Sequence, residues 1–114
     1  ARLAEGIARR RRGESDWTAV FAVNDTLAIR LMGALEGAGL RVPDDISVVG
    51  FDDLLYASMM SPPLSTMTVD CRMLGQQAIA LLLRRLAEPG AVPLQVDCGV
   101  GAKAGSTIAP PVQK

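Results

Sequence analysis

The sequence predicts an α/β domain of three layers around a mostly parallel sheet, and three observations predict it. Two short apolar runs, Thr18–Val23 (TAVFAV) and Ile46–Phe51 (ISVVGF), lack the alternation of half-exposed strands and suit strands buried on both faces. Each run stops at a polar pair, Asn24-Asp25 and Asp52-Asp53. Segments with helical spacing separate the extended ones, which gives strand, helix, strand, helix, strand and implies right-handed crossovers.

The elements follow in chain order. Ala1–Arg12 has helical composition with Leu3, Ile7 and Ala8 on one side, but no start signal, and reads as the second half of a helix. Its run Arg9–Arg12 ahead of Gly13 has two readings: a phosphate-contacting patch, or a helix C-terminus where cations oppose the dipole and glycine caps. After the Thr18–Val23 strand, a helix is expected over Thr26–Ala38, with Asn24 or Asp25 as N-cap and Gly39 as stop. Leu27, Leu31, Leu35 and Ala38 form one face of it, and Ile29 and Met32 a second apolar patch. A helix apolar on two sides is normally covered twice. The Ile46–Phe51 strand leads into a short helical segment, Leu54–Met60, stopped by Pro62-Pro63. Ser65–Val69 is extended. Asp70 caps the longest helix, Cys71–Ala87, with Leu74, Ala78, Leu81 and Leu82 inward, and Pro89-Gly90 breaks it. Leu94–Cys98 alternates and is expected as a third, edge strand; the tail from Gly99 is expected to be irregular.

Composition bounds the function. A chain of 114 residues is one domain or part of one. Hydrophobic residues make up 49% of it, with a mean hydropathy of +0.25. A small domain buries a smaller share of its surface than a large one, so this much apolar residue implies a further layer or subunit. Twelve basic residues balance twelve acidic ones, which argues against a nucleic-acid-binding module. With no histidine, the common zinc frameworks and histidine-based catalysis are excluded. Cys71 and Cys98 have neither metal-ligand nor redox spacing and are expected as reduced thiols of a cytoplasmic protein. No stretch has the apolar length of a membrane span.

No catalytic motif stands out, and no metal site or cofactor is expected. There is no phosphate loop and no G-x-G-x-x-G after a strand. Asp52 and Asp53 are sequence neighbours whose side chains diverge, whereas an acid/base pair must converge on one bond. Ser58, Ser61 and Ser65 lack a partnering base. The strand ends remain. In open parallel sheets, ligands bind beyond the carboxyl ends of the strands. A carboxamide at Asn24 and a carboxylate at Asp52 would donate and accept hydrogen bonds there, as hydroxyl-rich ligands require. Capping by Asn24 and a turn role for Asp52 are the structural alternatives.

AVFAVNDTLAIRLMGALEGAGLRVPDDISVVGFDD (residues 19–53), SPPLSTM (61–67) and LGQQAIALLLRRL (74–86) follow one another in a distinctive order. On these motifs the chain from about Trp17 to Leu86 resembles the lactose-repressor/galactose-repressor (LacI/GalR) family of bacterial transcription regulators. Gly105-Ser106-Thr107 is similar to the family's usual ending. The resemblance implies a periplasmic-binding-protein-like fold of two α/β subdomains with the effector between them. This chain would supply the C-terminal part of that domain, without the N-terminal subdomain and the DNA-binding headpiece.

Asn24 and Asp52 match positions that contact the effector, commonly a sugar or a nucleobase. Val69 and Cys71 stand where some members place a polar and an aromatic pocket residue, and neither is the residue expected for a lactose-type ligand. Ile29 and Met60 match subunit-contact positions, so a homodimer is expected. The function implied is that of the effector-sensing portion of a cytoplasmic regulator, a repressor by family default, which binds a small molecule, foremost a sugar, and controls operator affinity allosterically. Operator DNA would be reached only through the headpiece, with no enzyme activity and no membrane partner. A periplasmic sugar-binding protein of a transport system is the alternative on the same fold. A small α/β enzyme of receiver or flavodoxin type is a third reading.

Overall fold

The computed structural model describes residues 2–111. Ala1, the first residue of the expected opening helix, and the last three residues of the expected irregular tail lie outside that range. The chain divides into two compact units. One comprises the chain up to Thr68 and again from Ala102; the other is Val69–Gly101.

The first unit begins with α1 (Arg2–Arg11). Its end has the form that the helix C-terminus reading of the arginine run expects. Gly13 takes φ 73°, its N–H donates to the Arg10 carbonyl, and the Glu14 N–H donates to the Arg9 carbonyl at 2.9 Å. That paired arrangement is a Schellman cap, which needs a left-handed residue just past the helix. The guanidiniums close the helix locally: Arg10 Nε donates to the Trp17 carbonyl at 3.0 Å, and Arg12 pairs with Glu14 at 2.7 Å.

Three strands of the first unit follow: β1 (Ala19–Phe21), β2 (Ser47–Phe51) and β3 (Ser65–Thr68). β1 pairs with β2 in parallel, Ala19 opposite Ser47 and Phe21 opposite Val49. β2 pairs with β3 in parallel, Val49 opposite Ser65 and Phe51 opposite Met67. A short strand, β4 (Gly101–Lys103), completes the order β1-β2-β3-β4 among the described residues. The expected α/β class and mostly parallel sheet are therefore what forms. β2 and the residue before it are buried as their composition requires, with Ile46 and Val48 at 0% exposure. β1 departs from expectation. It is shorter than Thr18–Val23, and Ala19 and Phe21 are exposed, because it ends the sheet order and is covered less than the central strand.

α2 (Asp25–Gly37) connects β1 to β2 and packs on β2. Its buried apolar residues are Ala28, Leu31, Met32 and Leu35, at the spacing of one helical face. The face is thus rotated from the expected one: Leu27 is exposed, and Met32, expected in a second patch, belongs to the core with Ile7, Ile46, Val48 and Leu64. Ile29 packs against this core only in part. Before β2, the Asp45 carboxylate accepts from the Arg41 backbone N–H at 2.8 Å and from Arg41 Nε at 3.3 Å. These bonds, the backbone one foremost, hold its pKa below the usual carboxylate value.

Between β2 and β3 lies a 3-10 turn, Leu55–Met59, whose Ala57 is buried. The sheet is sutured near its other end by Thr107, fully buried. Its hydroxyl donates to the Val48 carbonyl at 2.6 Å and accepts from the Ser65 N–H at 2.9 Å.

The second unit is dominated by α3 (Cys71–Ala87), capped at Asp70, whose Oδ1 accepts from the Met73 N–H at 2.8 Å. The expected inward face of Leu74, Ala78, Leu81 and Leu82 is not observed. α3 has no buried residue, and its half-covered positions are Met73, Gln77, Leu81 and Arg84. Within this unit the helix meets one irregular segment, held where Arg85 Nη1 donates to the Ala91 carbonyl at 2.8 Å. One such segment cannot supply a second layer.

Leu94–Cys98 forms no strand, contrary to its alternation. The chain turns at Gly99, φ 67°, where the Asp97 carboxylate accepts from the Gly99 N–H at 2.8 Å. It reaches the sheet only afterwards, at β4, inside the segment expected to be irregular. β4 is fully exposed, so backbone pairing alone defines it and no apolar pattern announces it.

Candidate functional site

Asn24 and Asp52 lie at the carboxyl ends of β1 and β2, at equal register. Asn24 comes three residues after Phe21 and Asp52 three after Val49, and those two residues are paired in the sheet. Parallel pairing therefore carries both side chains to one edge. Asn24 is extended (φ −158°, ψ 168°) and its Oδ1 caps α2 by accepting from the Leu27 N–H at 2.9 Å. Among the described residues its Nδ2 has no partner. Capping and ligand contact thus fall on different atoms of one carboxamide.

Asp52 is exposed, with its backbone at φ 105°. Its N–H donates to the Met67 carbonyl at 3.0 Å, while its carboxylate has no partner among the described residues. Asp53 follows at φ 53° and pairs with Lys103 Nζ at 2.6 Å. The same edge carries an aromatic pair. The Phe21 and Phe51 rings meet edge to face, with centroids 6.4 Å apart, and Phe21 is 62% exposed. An uncommitted amide donor, an uncommitted carboxylate and an apolar ring are the ingredients of a small-molecule site. Nearby, Thr26 Oγ1 and Tyr56 Oη share a hydrogen bond of 2.9 Å.

The alternative cap candidate, Asp25, has another job. It is fully buried. Its Oδ1 accepts from Thr66 Oγ1 at 2.5 Å and its Oδ2 from the Leu54 N–H at 2.8 Å. It lies against Gly50 of β2, where a Cβ would collide with its Oδ1. One carboxylate ties the start of α2 to β3 and to the turn that follows Asp52-Asp53. Sequence reasoning missed this role, and missed Phe21, Phe51 and Lys103; the aromatic residues at both strand ends were the available signal for the pair.

Val69 and Cys71 stand in the second unit, Val69 directly after β3 and half-buried, Cys71 exposed as the first residue of α3. Cys71 and Cys98 are both free thiols.

Ile29 and Met60 do come together. With Met32, Leu40, Val42 and Pro62 they line one cleft of about 490 Å³ in the first unit. A larger groove of about 580 Å³ runs between α1 and α2, walled by Leu3, Ile7, Ala34 and Ala38. It lies away from the strand ends, and its arginines are the only polar side chains lining it, so it lacks the paired donors and acceptors that a polyol needs. Among the described residues, no cluster could hold a metal ion and no helix is long and apolar enough to cross a membrane.

Comparison with known proteins places this geometry. Residues 2–107 match the family described as periplasmic binding protein-like domain. The HTH-type transcriptional repressor PurR of Vibrio campbellii is 48% identical over 71 residues, 62% of this chain and 21% of that protein. PurR of Histophilus somni is 47% identical over 73 residues, covering 64% of this chain and 22% of that one. The chain therefore spans about a fifth of the length of the curated relatives it matches. The dimeric Lac repressor with an 11-residue C-terminal deletion superposes with a TM-score of 0.78 at 34% identity, over 96% of this chain and 40% of that one. A LacI family regulator from Enterococcus faecalis, solved with bound ribose, gives 0.78 at 28% identity, over 97% and 42%. The family match over residues 2–107, together with these relatives, shows that this chain belongs to the periplasmic binding protein-like domains of the LacI/GalR family.

Proposed function

We propose that this chain forms part of the effector-binding domain of a LacI-type transcription regulator, with a sugar or nucleobase held at the carboxyl edge of the sheet. One observation carries the reading: Asn24 Nδ2 and the Asp52 carboxylate stand uncommitted at equal register beside the Phe21–Phe51 pair. The donor and acceptor address ring hydroxyls or base edges, and the exposed phenyl face covers an apolar ring surface. For Val69 and Cys71 as further contacts the proposal rests on the family resemblance alone. Relatives support the ligand class: one regulator was solved with ribose, and the Lac repressor dimer was solved on its operator with the anti-inducer ONPF.

In the intact regulator, the effector would favour one of two conformations. Its differential affinity for them would set how paired headpieces meet the operator, a coupling that is reciprocal by linkage. Such a protein acts where the DNA is, in the cytoplasm. The Ile29–Met60 cleft is the proposed subunit contact.

Asp52→Ala in the intact protein is expected to weaken effector binding at least tenfold by calorimetry while leaving the unfolding midpoint unchanged. D-ribose, a β-galactoside and a purine base are the probes. A large drop in stability with affinity retained would return Asp52 to a turn role. Met60→Asp is expected to yield monomers in sedimentation velocity, since a charge buried without a partner is costly. Dimers that persist would move the interface elsewhere.

A further inference from the structure

Asp52 and Asp53 are consecutive non-glycine residues in the left-handed half of backbone space, at φ 105° and 53°. Such residues are uncommon, and they persist where the surroundings over-determine them. Three bonds from three elements supply that constraint. The Asp52 N–H donates to the Met67 carbonyl on β3 at 3.0 Å. The Leu54 N–H donates to Asp25 Oδ2, at the start of α2, at 2.8 Å. Lys103 Nζ on β4 donates to Asp53 Oδ1 at 2.6 Å.

The first two bonds use backbone amides and leave the side chains of the turn free. The third fixes Asp53 itself. The pair is partly shielded, with side-chain exposures of 47% for Lys103 and 28% for Asp53, so its attraction is screened less than between fully exposed charges. Without the pair, Asp53 can relax to negative φ. That uncompensated change at one backbone torsion tilts Asp52 relative to the Leu54 anchor and re-aims its carboxylate, although no core contact is broken.

We propose that Lys103 is a positioning residue for Asp52: its ion pair with Asp53 latches the strained turn, so that the Asp52 carboxylate is presented ready-oriented at the carboxyl edge of the sheet. The functional half of this inference rests on the ligand reading given above. Preorganisation of this kind reduces the ordering that a ligand must otherwise impose. A single ion pair at the surface, even a partly shielded one, adds little to global stability, so loss of the latch acts on the turn and leaves the unfolding midpoint in place.

The test uses the intact protein with Lys103→Met, Lys103→Arg and Asp53→Asn, and two readouts. Amide hydrogen exchange at Asp52 and Leu54, measured by NMR without ligand, is expected to quicken at least tenfold in Lys103→Met and Asp53→Asn and to return to wild-type rates in Lys103→Arg. Calorimetry with D-ribose, a β-galactoside and a purine base is expected to show at least tenfold weaker binding in Lys103→Met for whichever probe the wild type binds, restored by arginine. Wild-type exchange rates in Lys103→Met overturn the latch, as does unchanged affinity for a bound probe. If exchange quickens and arginine restores it while the wild type binds none of the three probes, the latch stands and the ligand reading fails for those classes.

Discussion

Asp25→Ala is expected to destabilise the first unit by about 3 kcal/mol, since it removes two charge-assisted bonds at a buried site and orphans their donors. The carboxylate is fully buried and serves the Thr66 hydroxyl and the Leu54 N–H at once. Alanine leaves Leu54 N–H without an acceptor at the foot of the Asp52-Asp53 turn. Urea denaturation measures the loss as a shift in midpoint at unchanged slope. Asp25→Asn separates shape from charge. Its Oδ1 can accept from Leu54 N–H while its Nδ2 donates to Thr66 Oγ1, whose proton can turn to the Met67 carbonyl at 3.4 Å. Asparagine is therefore expected to cost about 1 kcal/mol, the worth of charge assistance alone. Equal losses for alanine and asparagine would mean that charge, not the bonding pattern, holds the knot.

Gly50 belongs to the same knot. A Cβ there would meet Asp25 Oδ1 and approach Leu64 Cδ2 to 3.0 Å. Gly50→Ala should thus cost less in the Asp25→Ala background than in the wild type. That non-additivity is the mark of two residues competing for one volume.

How much of this was legible follows from what each residue's signal consists of. β2 and the span of α3 were readable because Ile46–Phe51 is apolar but for Ser47, and because Asp70 and Pro89 punctuate the helix. The register of Asn24 and Asp52 was readable as two polar pairs, each ending an apolar run. Asp25 was not, because a cap and a buried knot use the same residue type at the same place. Only the approach of β3 and Gly50 distinguishes them. The inward face of α2 was misplaced by one position at Leu27, since the small side chain of the buried Ala28 gives a weaker apolar signal than the exposed leucine beside it. β4 was invisible: Gly101-Ala102-Lys103 buries nothing, and the alternation of Leu94–Cys98 drew attention to the wrong segment. Lys103 could be found only once β4 and the Asp53 turn had been brought together in space.

The end of the sheet's suture yields the second large effect. Gly105→Ala is expected to cost about 3 kcal/mol, the upper range for overpacking a filled site, because nothing flexible lies in the way. A Cβ at Gly105 would press on the Pro63 carbonyl oxygen and lie 2.5 and 2.6 Å from the Leu64 carbonyl carbon and oxygen. These are backbone atoms at the entrance to β3. The clash must separate two segments that are bonded through Ser106 N–H to the Pro63 carbonyl at 2.7 Å and Gly105 N–H to Ser65 Oγ at 3.1 Å. Separation also withdraws the buried Thr107 hydroxyl from Val48 and Ser65, leaving groups that water cannot reach without a partner. Gly99→Ala is the control. Gly99 has φ 67° and nothing within 4 Å of a Cβ, so alanine there meets only the left-handed backbone penalty of about 1 kcal/mol. If the two substitutions cost the same in denaturation, close packing at Gly105 is not what holds this suture. A Gly105 loss two to three times larger would assign the glycine to the space it leaves for β3.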